Sequence, residues 1–308
     1  MIGLKQRYLG CLLGLACGDA VGAPVEFYRR GRFLPVQGMQ GGGKFRLLPG
    51  EWTDDTAMAL CLADSLISCG GFDPLDQMQR YWRWADEGYL STRQHAFGLG
   101  KTVAQALMRF RRTGDPYAGS PDPMKAGNGS LMRLAPVVLW FHPDTDNAVV
   151  YAVRSSLTTH ATREAVDCCR LLATVIGNAL AGKSKDELLA GSAAFLTEPK
   201  VRELAEGHYR HKSREQISGT GYCVQSLEAA LWCVHVTGDF PQAILMAANL
   251  GDDADTTAAI TGQIAGALYG VEAIPGQWLD TLHRAELIAG FARRIHQRVE
   301  RVCPGTVP

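Results

Sequence analysis

Glycine recurs every four residues along the first apolar stretch of the chain. Gly10, Gly14 and Gly18 lie in a run rich in Leu, Ala and Cys. Residues four apart share one face of an α-helix, so this period predicts a helix that packs closely through a small-residue face. A basic start before a short apolar run is also typical of a signal peptide, and Leu15-Ala16-Cys17 resembles a lipoprotein cleavage site. Because Gly18-Asp19 follows at once, the packed helix is the favoured interpretation.

The rest of the chain also has the pattern of helices. Ala and Leu dominate, and the alternation typical of strands is scarce. The chain has 308 residues, of which 46% are hydrophobic, and can bury a large core. These features predict an all-α fold in one compact domain over residues 1–308. Helices are predicted at residues 7–21, 55–68, 74–85, 102–112, 131–141, 146–157, 163–181, 185–195, 224–236, 241–249, 256–269 and 281–302.

Charge balance and cysteine usage restrict the classes of partner and compartment. Lys+Arg and Asp+Glu number 31 each, which argues against a broad basic surface for nucleic acid. Beyond the first helix, no stretch has the roughly 18 uninterrupted apolar residues of a membrane span. Neither nucleic acid nor a membrane is therefore expected as a partner. The nine cysteines are odd in number and form no CxxC pair, so a cytoplasmic location is expected.

Carboxylates and hydroxyls are concentrated at the starts of two predicted helices. One cluster is Trp52-Thr53-Asp54-Asp55-Thr56, and the other spans residues 251–257 with Asp252, Asp253 and Asp255. A single carboxylate is enough to cap a helix, and several at one terminus repel each other unless a cation lies between them. Oxygen ligands suit Mg²⁺, Mn²⁺ or Ca²⁺ rather than zinc. The clusters predict a metal site, with plain helix capping as the alternative.

A third acidic element connects the first helix to a glycine-rich loop. It runs from Gly18 through Asp19 and Gly22 to Glu26. Gly22 would permit a sharp turn there, and Glu26 would then reach a metal or its water. The alternative for Glu26 is a solvated loop residue.

The segment Gly127-Asn128-Gly129-Ser130 has the composition of a phosphate-binding loop. It precedes a predicted helix at residue 131, whose free N–H groups favour an anion, and Arg133 would add charge. His160 lies at a helix junction where it could donate to a phosphate or ribose oxygen, and Tyr222 could stack on a base. The alternatives are an Asn-Gly turn, a structural histidine and a core aromatic residue.

Taken in order, these segments resemble the ADP-ribosylglycohydrolase family, which includes dinitrogenase reductase-activating glycohydrolase and the ADP-ribosyl-acceptor hydrolases. The ordered set is far more specific than any single motif, and it covers nearly the whole chain. The matching segments are Gly18-Asp19 to Glu26, Trp52 to Thr56, Gly127 to Arg133, Thr159-His160, Gly221-Tyr222 and Leu250 to Thr257.

The resemblance implies an all-helical fold around a central dinuclear site holding two Mg²⁺ or Mn²⁺ ions. By position, the implied metal ligands are Thr53, Asp54, Asp55, Asp253, Asp255 and Thr256. The residues implied to act in catalysis are Glu26, Asp55 and Asp255. The implied substrate-binding residues are Gly22, Phe97, Gly98, Gly100, Gly127, Asn128, Gly129, Ser130, His160 and Tyr222. Among these, Gly127 to Ser130 would hold the diphosphate and Tyr222 the adenine.

The chain departs from the family pattern at one position. Relatives that act on ADP-ribosylarginine often have Phe-Asp-Ile-Gly where this chain has Phe97-Gly98-Leu99-Gly100. A carboxylate near the substrate ribose is therefore missing, and the acceptor linkage stays open.

The implied activity is metal-dependent release of ADP-ribose from modified protein side chains or small conjugates, with arginine as the first expected acceptor. The glycosidic bond at the anomeric carbon would be cleaved. The alternatives are a hydrolase for serine-linked or O-acetyl-ADP-ribose, a non-catalytic ADP-ribose-binding protein, a nucleotide phosphohydrolase and a purely structural helical protein.

Overall fold

The computed structural model of the protein describes residues 2–302, which form thirteen α-helices and several short 3₁₀ turns. No β-strand forms within these residues, so the all-α prediction is confirmed. The helices are α1 (Leu4–Gly22), α2 (Asp54–Cys69), α3 (Pro74–Glu87), α4 (Lys101–Thr113), α5 (Ala135–Phe141), α6 (Thr145–Leu157), α7 (Arg163–Leu180), α8 (Pro199–Ala205), α9 (Cys223–Val236), α10 (Phe240–Ala248), α11 (Ala254–Tyr269), α12 (Gly276–Thr281) and α13 (Ala285–Val302).

Helices α1 and α11 form an antiparallel pair at the centre of the fold. A Cβ atom on Gly18 would lie 2.0 Å from the carbonyl oxygen of Ala258, and one on Gly10 would lie 2.3 Å from that of Gly266. Only glycine lets the two backbones come this close, so the predicted small-residue face is confirmed. The segment Leu4–Val25 is long and apolar enough to cross a membrane, but 94% of its most apolar window is buried inside the protein.

The remaining helices surround this pair and share one core. The buried apolar side chains form a continuous cluster that runs from Tyr8 on α1 to Val299 on α13. Residues 2–302 therefore make one compact domain. The predicted domain limits of 1–308 extend beyond the described residues, as does Cys303. The other eight cysteines are free thiols.

Three helix predictions need correction, because hydrogen bonds from other parts of the chain hold the backbone in a different conformation. Residues 185–195 form two 3₁₀ turns, since Gly191 has a positive φ of 78° and Asn178 Nδ2 donates to the carbonyls of Leu188 and Ala190. The helix predicted at residues 131–141 begins only at Ala135, because the Gln263 amide binds the backbone of residues 131, 132 and 135.

The helix predicted at residues 281–302 begins only at Ala285, because residues 282–284 leave the helical conformation after α12. Arg284 takes a positive φ of 55°, while the N–H of His283 donates to Gly50 and its carbonyl accepts from Trp52 Nε1. These contacts hold the last α-helix in place beside the segment that leads into α2. The short helices α8 and α12 were not predicted, and the other nine predicted helices match within three residues at each end.

Candidate active site

Three chain segments meet where α1 ends and where α2 and α11 begin. Because α1 and α11 are antiparallel, the end of α1 lies beside the start of α11. A Cβ atom on Gly22 would lie 2.4 Å from the carbonyl oxygen of Ala254. Gly22 is helical, with φ −81°, so its predicted sharp turn is wrong and its role is close packing. The chain then passes through a 3₁₀ turn, Ala23–Val25, to Glu26.

Asp19 at the end of α1 caps the start of α2. Its fully buried carboxylate accepts the backbone N–H groups of Thr53 and Thr56 at 3.0 Å and both of their hydroxyls at 2.6–2.9 Å. The residues that flank the two helix starts, Thr53 and Asp253, make no capping bond with their own side chains. Asp19 therefore supplies the cap of α2. The carboxylates clustered at the starts of α2 and α11 are then available for another role.

The carboxylates form two overlapping groups of three. One oxygen each from Asp19, Asp55 and Asp255 lie within 4.8 Å of one another, and the same holds for Glu26, Asp253 and Asp255. Asp255 belongs to both groups. We call this set, together with Asp54, the acidic cluster.

The donor set of the acidic cluster fits hard divalent cations. Glu26 Oε2 and Asp55 Oδ1 are buried and have no hydrogen-bond partner among the described residues. An unpaired buried carboxylate oxygen costs free energy that a cation would recover. Carboxylates and threonine hydroxyls are ligands that Mg²⁺ and Mn²⁺ accept and zinc does not favour. The residues present therefore fit such ions.

Burial and mutual repulsion make the cluster hard to ionise. Burial raises the pKa of Glu26 to about 8 and that of Asp19 to about 6, and the charge of Asp253 adds to the shift at Glu26. The pKa values of Asp55 and Asp255 are also raised by burial and by their neighbours' charges. Among the described residues, no Lys or Arg forms an ion pair with any member. The carboxylates of the cluster are therefore not neutralised by direct ion pairs with the described residues.

The acidic cluster lies beside a cleft of about 880 Å³. Many residues predicted for the site line this cleft: Glu26, Asp54, Gly98, Gly100, Gly127, Asn128, Gly129, His160, Asp253, Asp255 and Thr256. Six other predicted residues are not part of this lining: Gly22, Thr53, Asp55, Phe97, Ser130 and Tyr222.

One wall of the cleft joins the segment 127–129 to Asp253. Asn128 Nδ2 donates to Asp253 Oδ2 at 2.7 Å and to Ser226 Oγ at 3.2 Å. Gly127 and Gly129 leave room for His160, since a Cβ atom on either would lie 3.2–3.3 Å from His160 Nε2. We call Gly127, Asn128, Gly129 and His160 the glycine wall.

His160 is neutral and its ring is held by a buried hydroxyl. Burial and the charge of Arg133 lower the pKa of His160 to about 3. Arg133 Nη2 donates to Thr159 Oγ1 at 2.7 Å, and this hydroxyl lies 2.9 Å from His160 Nδ1. Because a guanidinium only donates, the Thr159 proton is free to bond Nδ1, which leaves the imidazole proton on Nε2. His160 thus presents an N–H donor on the glycine wall.

Two expectations about the phosphate-binding loop are wrong. The segment does not open directly into a helix, because α5 starts at Ala135. Arg133 is fully buried, donates to the carbonyl of Gly129 at 2.6 Å and does not line the cleft. Its role is to hold the loop and Thr159 from behind. Ser130 is also buried, where its hydroxyl accepts from Ser156.

Tyr222 and Phe97 lie next to lining residues. The hydroxyl of Tyr222 donates to Glu164 and accepts from Lys200 at 2.9 Å. The ring of Phe97 packs against Phe45, with centroids 5.4 Å apart. Neither contact involves the acidic cluster.

Comparison with known proteins decides the family of this chain. A family model described as ADP-ribosylglycohydrolase matches residues 2–305. The chain belongs to the ADP-ribosylglycohydrolase family. It is 44% identical over 297 residues to the ADP-ribosylarginine hydrolase Tri1 of Pseudomonas putida (strain GB-1), a match that covers 96% of this chain and 80% of that protein.

Further relatives extend the family likeness. The ADP-ribosyl-[dinitrogen reductase] glycohydrolase of Rhodospirillum rubrum is 32% identical over 289 residues, with 91% of each chain covered. A solved structure titled "ADP-ribosylglycohydrolase-related protein complex" superposes with a TM-score of 0.85 at 45% identity, covering 96% of this chain and 98% of that one. The protein is therefore an enzyme of this family, a glycosidic hydrolase with the ADP-ribosylglycohydrolase fold.

Some residues at this ADP-ribosylglycohydrolase site were missed from the sequence. Asp19 has no predicted role, although its position one residue after the glycine repeat places it at the end of α1. Phe27, Lys44 and Phe45 also line the cleft. They lie in a long irregular loop with no periodic signal, which explains why the sequence did not single them out.

Proposed function

We propose that this enzyme is a metal-dependent hydrolase that releases ADP-ribose from modified arginine side chains of proteins. The observation that carries the metal dependence is the position of Asp255. Its carboxylate belongs to both groups of three carboxylates beside the cleft. The arginine linkage is supported by the relatives named ADP-ribosylarginine hydrolase. Serine-linked and O-acetyl-ADP-ribose are the alternative substrates.

Two divalent ions, Mg²⁺ or Mn²⁺, would be held by Thr53, Asp54 and Asp55 from α2 and by Asp253, Asp255 and Thr256 from α11. When bound, they would supply Lewis acidity that polarises ribose hydroxyls and acidifies a water. The Thr53 hydroxyl supports this assignment because it lies 2.9 Å from Asp19 Oδ1 and 3.1 Å from Asp55 Oδ2. Asp19 therefore acts as a positioning residue behind the ligands.

The reaction breaks the bond between the anomeric carbon and the acceptor nitrogen and forms a bond from that carbon to a water oxygen. Glu26 takes the proton released by the water and delivers it to the leaving nitrogen. A position at the cleft beside Asp253 and Asp255 suits Glu26 to this role. Asp55 and Asp255 take part in catalysis as ligands that fix the charge near the reacting carbon.

The glycine wall would receive the diphosphate of the substrate. The backbone can approach an anion at Gly127 and Gly129, and His160 Nε2 donates without carrying a charge. Gly98, Gly100 and Phe97 would border the ribose, and Tyr222 the adenine. An ADP-ribosylated protein or a small ADP-ribosyl conjugate is the proposed partner. The free thiols favour a reducing compartment, which we take to be the cytoplasm.

The deciding experiment measures release of intact ADP-ribose from matched arginine-, serine- and O-acetyl-linked substrates, each with Mg²⁺, Mn²⁺ or chelator. Metal-dependent release from the arginine-linked substrate is expected. Release from another linkage would reassign the acceptor. Release of AMP or phosphate would instead identify a phosphohydrolase, and full activity of an Asp255→Ala variant without metal would overturn the metal-dependent mechanism.

A further inference from the structure

A cation already lies over two neighbouring aromatic rings at the cleft. Lys44 Nζ is 4.2 Å from the ring centroid of Phe27 and 6.0 Å from that of Phe45, and the two ring centroids are 6.2 Å apart. All three residues line the cleft together with Glu26. We call Phe27 and Phe45 the aromatic pair. Aromatic faces attract cations through their quadrupole, most strongly where water is partly excluded.

Lys44 is held only weakly over the rings, so another cation can replace its ammonium group there. The side chain is exposed and forms no ion pair or hydrogen bond with any other described residue. The positive charge of Lys44 nevertheless acts on Glu26, because it lowers the pKa that burial raises. The ammonium group is thus close to the catalytic carboxylate but is held by the rings alone. Another cation that enters the cleft can take its place at little cost.

Both rings are held more firmly than the lysine. Phe27 is more than half exposed, with a left-handed φ of 71°, a conformation stabilised because its N–H donates to the carbonyl of Asp252 at 2.7 Å. Phe45 packs on Phe97, and Arg93 Nη1 donates to the Phe45 carbonyl at 3.1 Å. An exposed aromatic residue fixed in a strained conformation at a cleft is typical of a binding position.

The cleft therefore has two chemically different walls. The glycine wall presents small residues and a neutral N–H donor and is joined to Asp253. The aromatic pair lies with Glu26 in the lining of the cleft. Phe45 packs on Phe97, and the next residue, Gly98, faces Asp54. A substrate with an anionic diphosphate at one end and a cation at the other matches this arrangement.

We propose that the aromatic pair binds the guanidinium group of the arginine acceptor, which displaces Lys44 when the substrate enters. This inference rests on the proposed function and deepens it, because it assigns the residues that distinguish a cationic acceptor from a neutral one. Phe27 and Phe45 are specificity-determining residues, and Lys44 is a built-in competitor.

The test uses agmatine, which carries the arginine guanidinium without a carboxylate. Its dissociation constant is measured by NMR titration of the protein with residues 1–308, saturated with Mg²⁺ and ADP-ribose. Replacement Phe27→Leu or Phe45→Leu is expected to weaken agmatine binding roughly tenfold, and Phe27→Trp to retain it. Lys44→Ala is expected to strengthen agmatine binding several-fold. Phe195→Leu, at an exposed ring away from the cleft lining, is the control.

Affinity for ADP-ribose alone separates the proposal from a structural effect. It should stay within about twofold in all these variants. Equal losses of agmatine and ADP-ribose affinity would overturn the proposal, as would weaker agmatine binding in Lys44→Ala. Because binding needs no turnover, the proposed function is judged separately. Absence of ADP-ribose release by the wild-type enzyme would defeat that function whatever the agmatine result.

Discussion

Gly98 faces the carboxylate of Asp54 so closely that a Cβ atom on Gly98 would lie 2.4 Å from Asp54 Oδ1. Gly98 also has a left-handed φ of 80°. At this position, where the resemblance to the family implies an aspartate, glycine avoids both the close contact with Asp54 and the strain of a left-handed backbone. The loop before α4 borders the acidic cluster with its backbone at Gly98, and a side chain there would collide with Asp54.

Introducing an aspartate at position 98 is expected to harm this enzyme. In Gly98→Asp, a new carboxylate would be placed against Asp54, and we expect Mg²⁺ affinity and kcat/KM to fall roughly tenfold or more. Titration calorimetry and steady-state kinetics measure the two quantities. Gly98→Asn has the same shape without the charge, so it separates repulsion from crowding. Higher activity of Gly98→Asp than of wild type would contradict this account.

The central pair of helices should not tolerate a single added methyl group. Gly18→Ala would bring a Cβ atom to 2.0 Å from the Ala258 carbonyl oxygen, and we expect a loss of about 1–3 kcal/mol in the free energy of unfolding. Gly71→Ala is the matched control, because no atom lies within 4 Å of its added Cβ. Urea unfolding curves compare the two, and equal midpoints would rule out close packing as the reason for the glycine.

Stability of the metal-free protein should fall as the pH rises. Folding raises the pKa of Asp19 to about 6 and of Glu26 to about 8, above their ordinary values near 4. The folded state binds more protons than the unfolded state between these values, so stability is highest at low pH and is lost as the pH passes through the folded pKa. Urea unfolding in chelator from pH 5 to 9 tests this.

The same titration has an internal control. Glu26→Gln should remove the part of the decline near pH 8, and saturating Mg²⁺ should flatten the whole curve because the cation replaces protons on the cluster. A metal-free stability that rises between pH 6 and 8 would contradict the electrostatic description of the cluster.

Replacement of the shared carboxylate should remove more metal than replacement of a peripheral one. Asp255→Asn is expected to abolish binding of both Mn²⁺ ions, while Asp55→Asn should leave one, since only Asp255 belongs to both groups. Activity should fall more than about a hundredfold in each. Titration calorimetry gives the stoichiometry, with Asp252→Asn as the neighbouring control. Equal stoichiometries in the Asp255 and Asp55 variants would argue against the division of the cluster.

The buried hydroxyl behind His160 should affect substrate affinity. Thr159→Val removes the bond to His160 Nδ1, and we expect ADP-ribose affinity to fall fivefold to tenfold, or about 1 kcal/mol, with Thr159→Ser restoring it. Thr158→Val is the control, because the Thr158 hydroxyl also accepts from Arg133 but forms no hydrogen bond with the His160 ring. If both valine variants lose stability but neither loses affinity, the bond has only a structural role.

The local sequence determined the helices and the chemistry of the site. The four-residue glycine period, the apolar periodicity and the acidic starts of α2 and α11 are properties of short segments, and each of them was predictable. The donor types at Thr53 to Asp55 and at Asp253 to Thr256 also indicated a site for hard cations before any distance was known. Short-range preferences decide such features because they act within one or two helical turns.

Only the tertiary structure decided how these segments meet and what each residue does there. Asp19 became the cap of a helix 34 residues further on because α1 ends beside the start of α2. Arg133 became a buried support in place of a phosphate ligand, and the helices predicted at 185–195 and 281–302 were broken by distant partners. Phe27, Lys44 and Phe45 came together across an irregular loop. Contacts between distant segments leave no periodic trace in the sequence, since their energy exists only once the chain has packed.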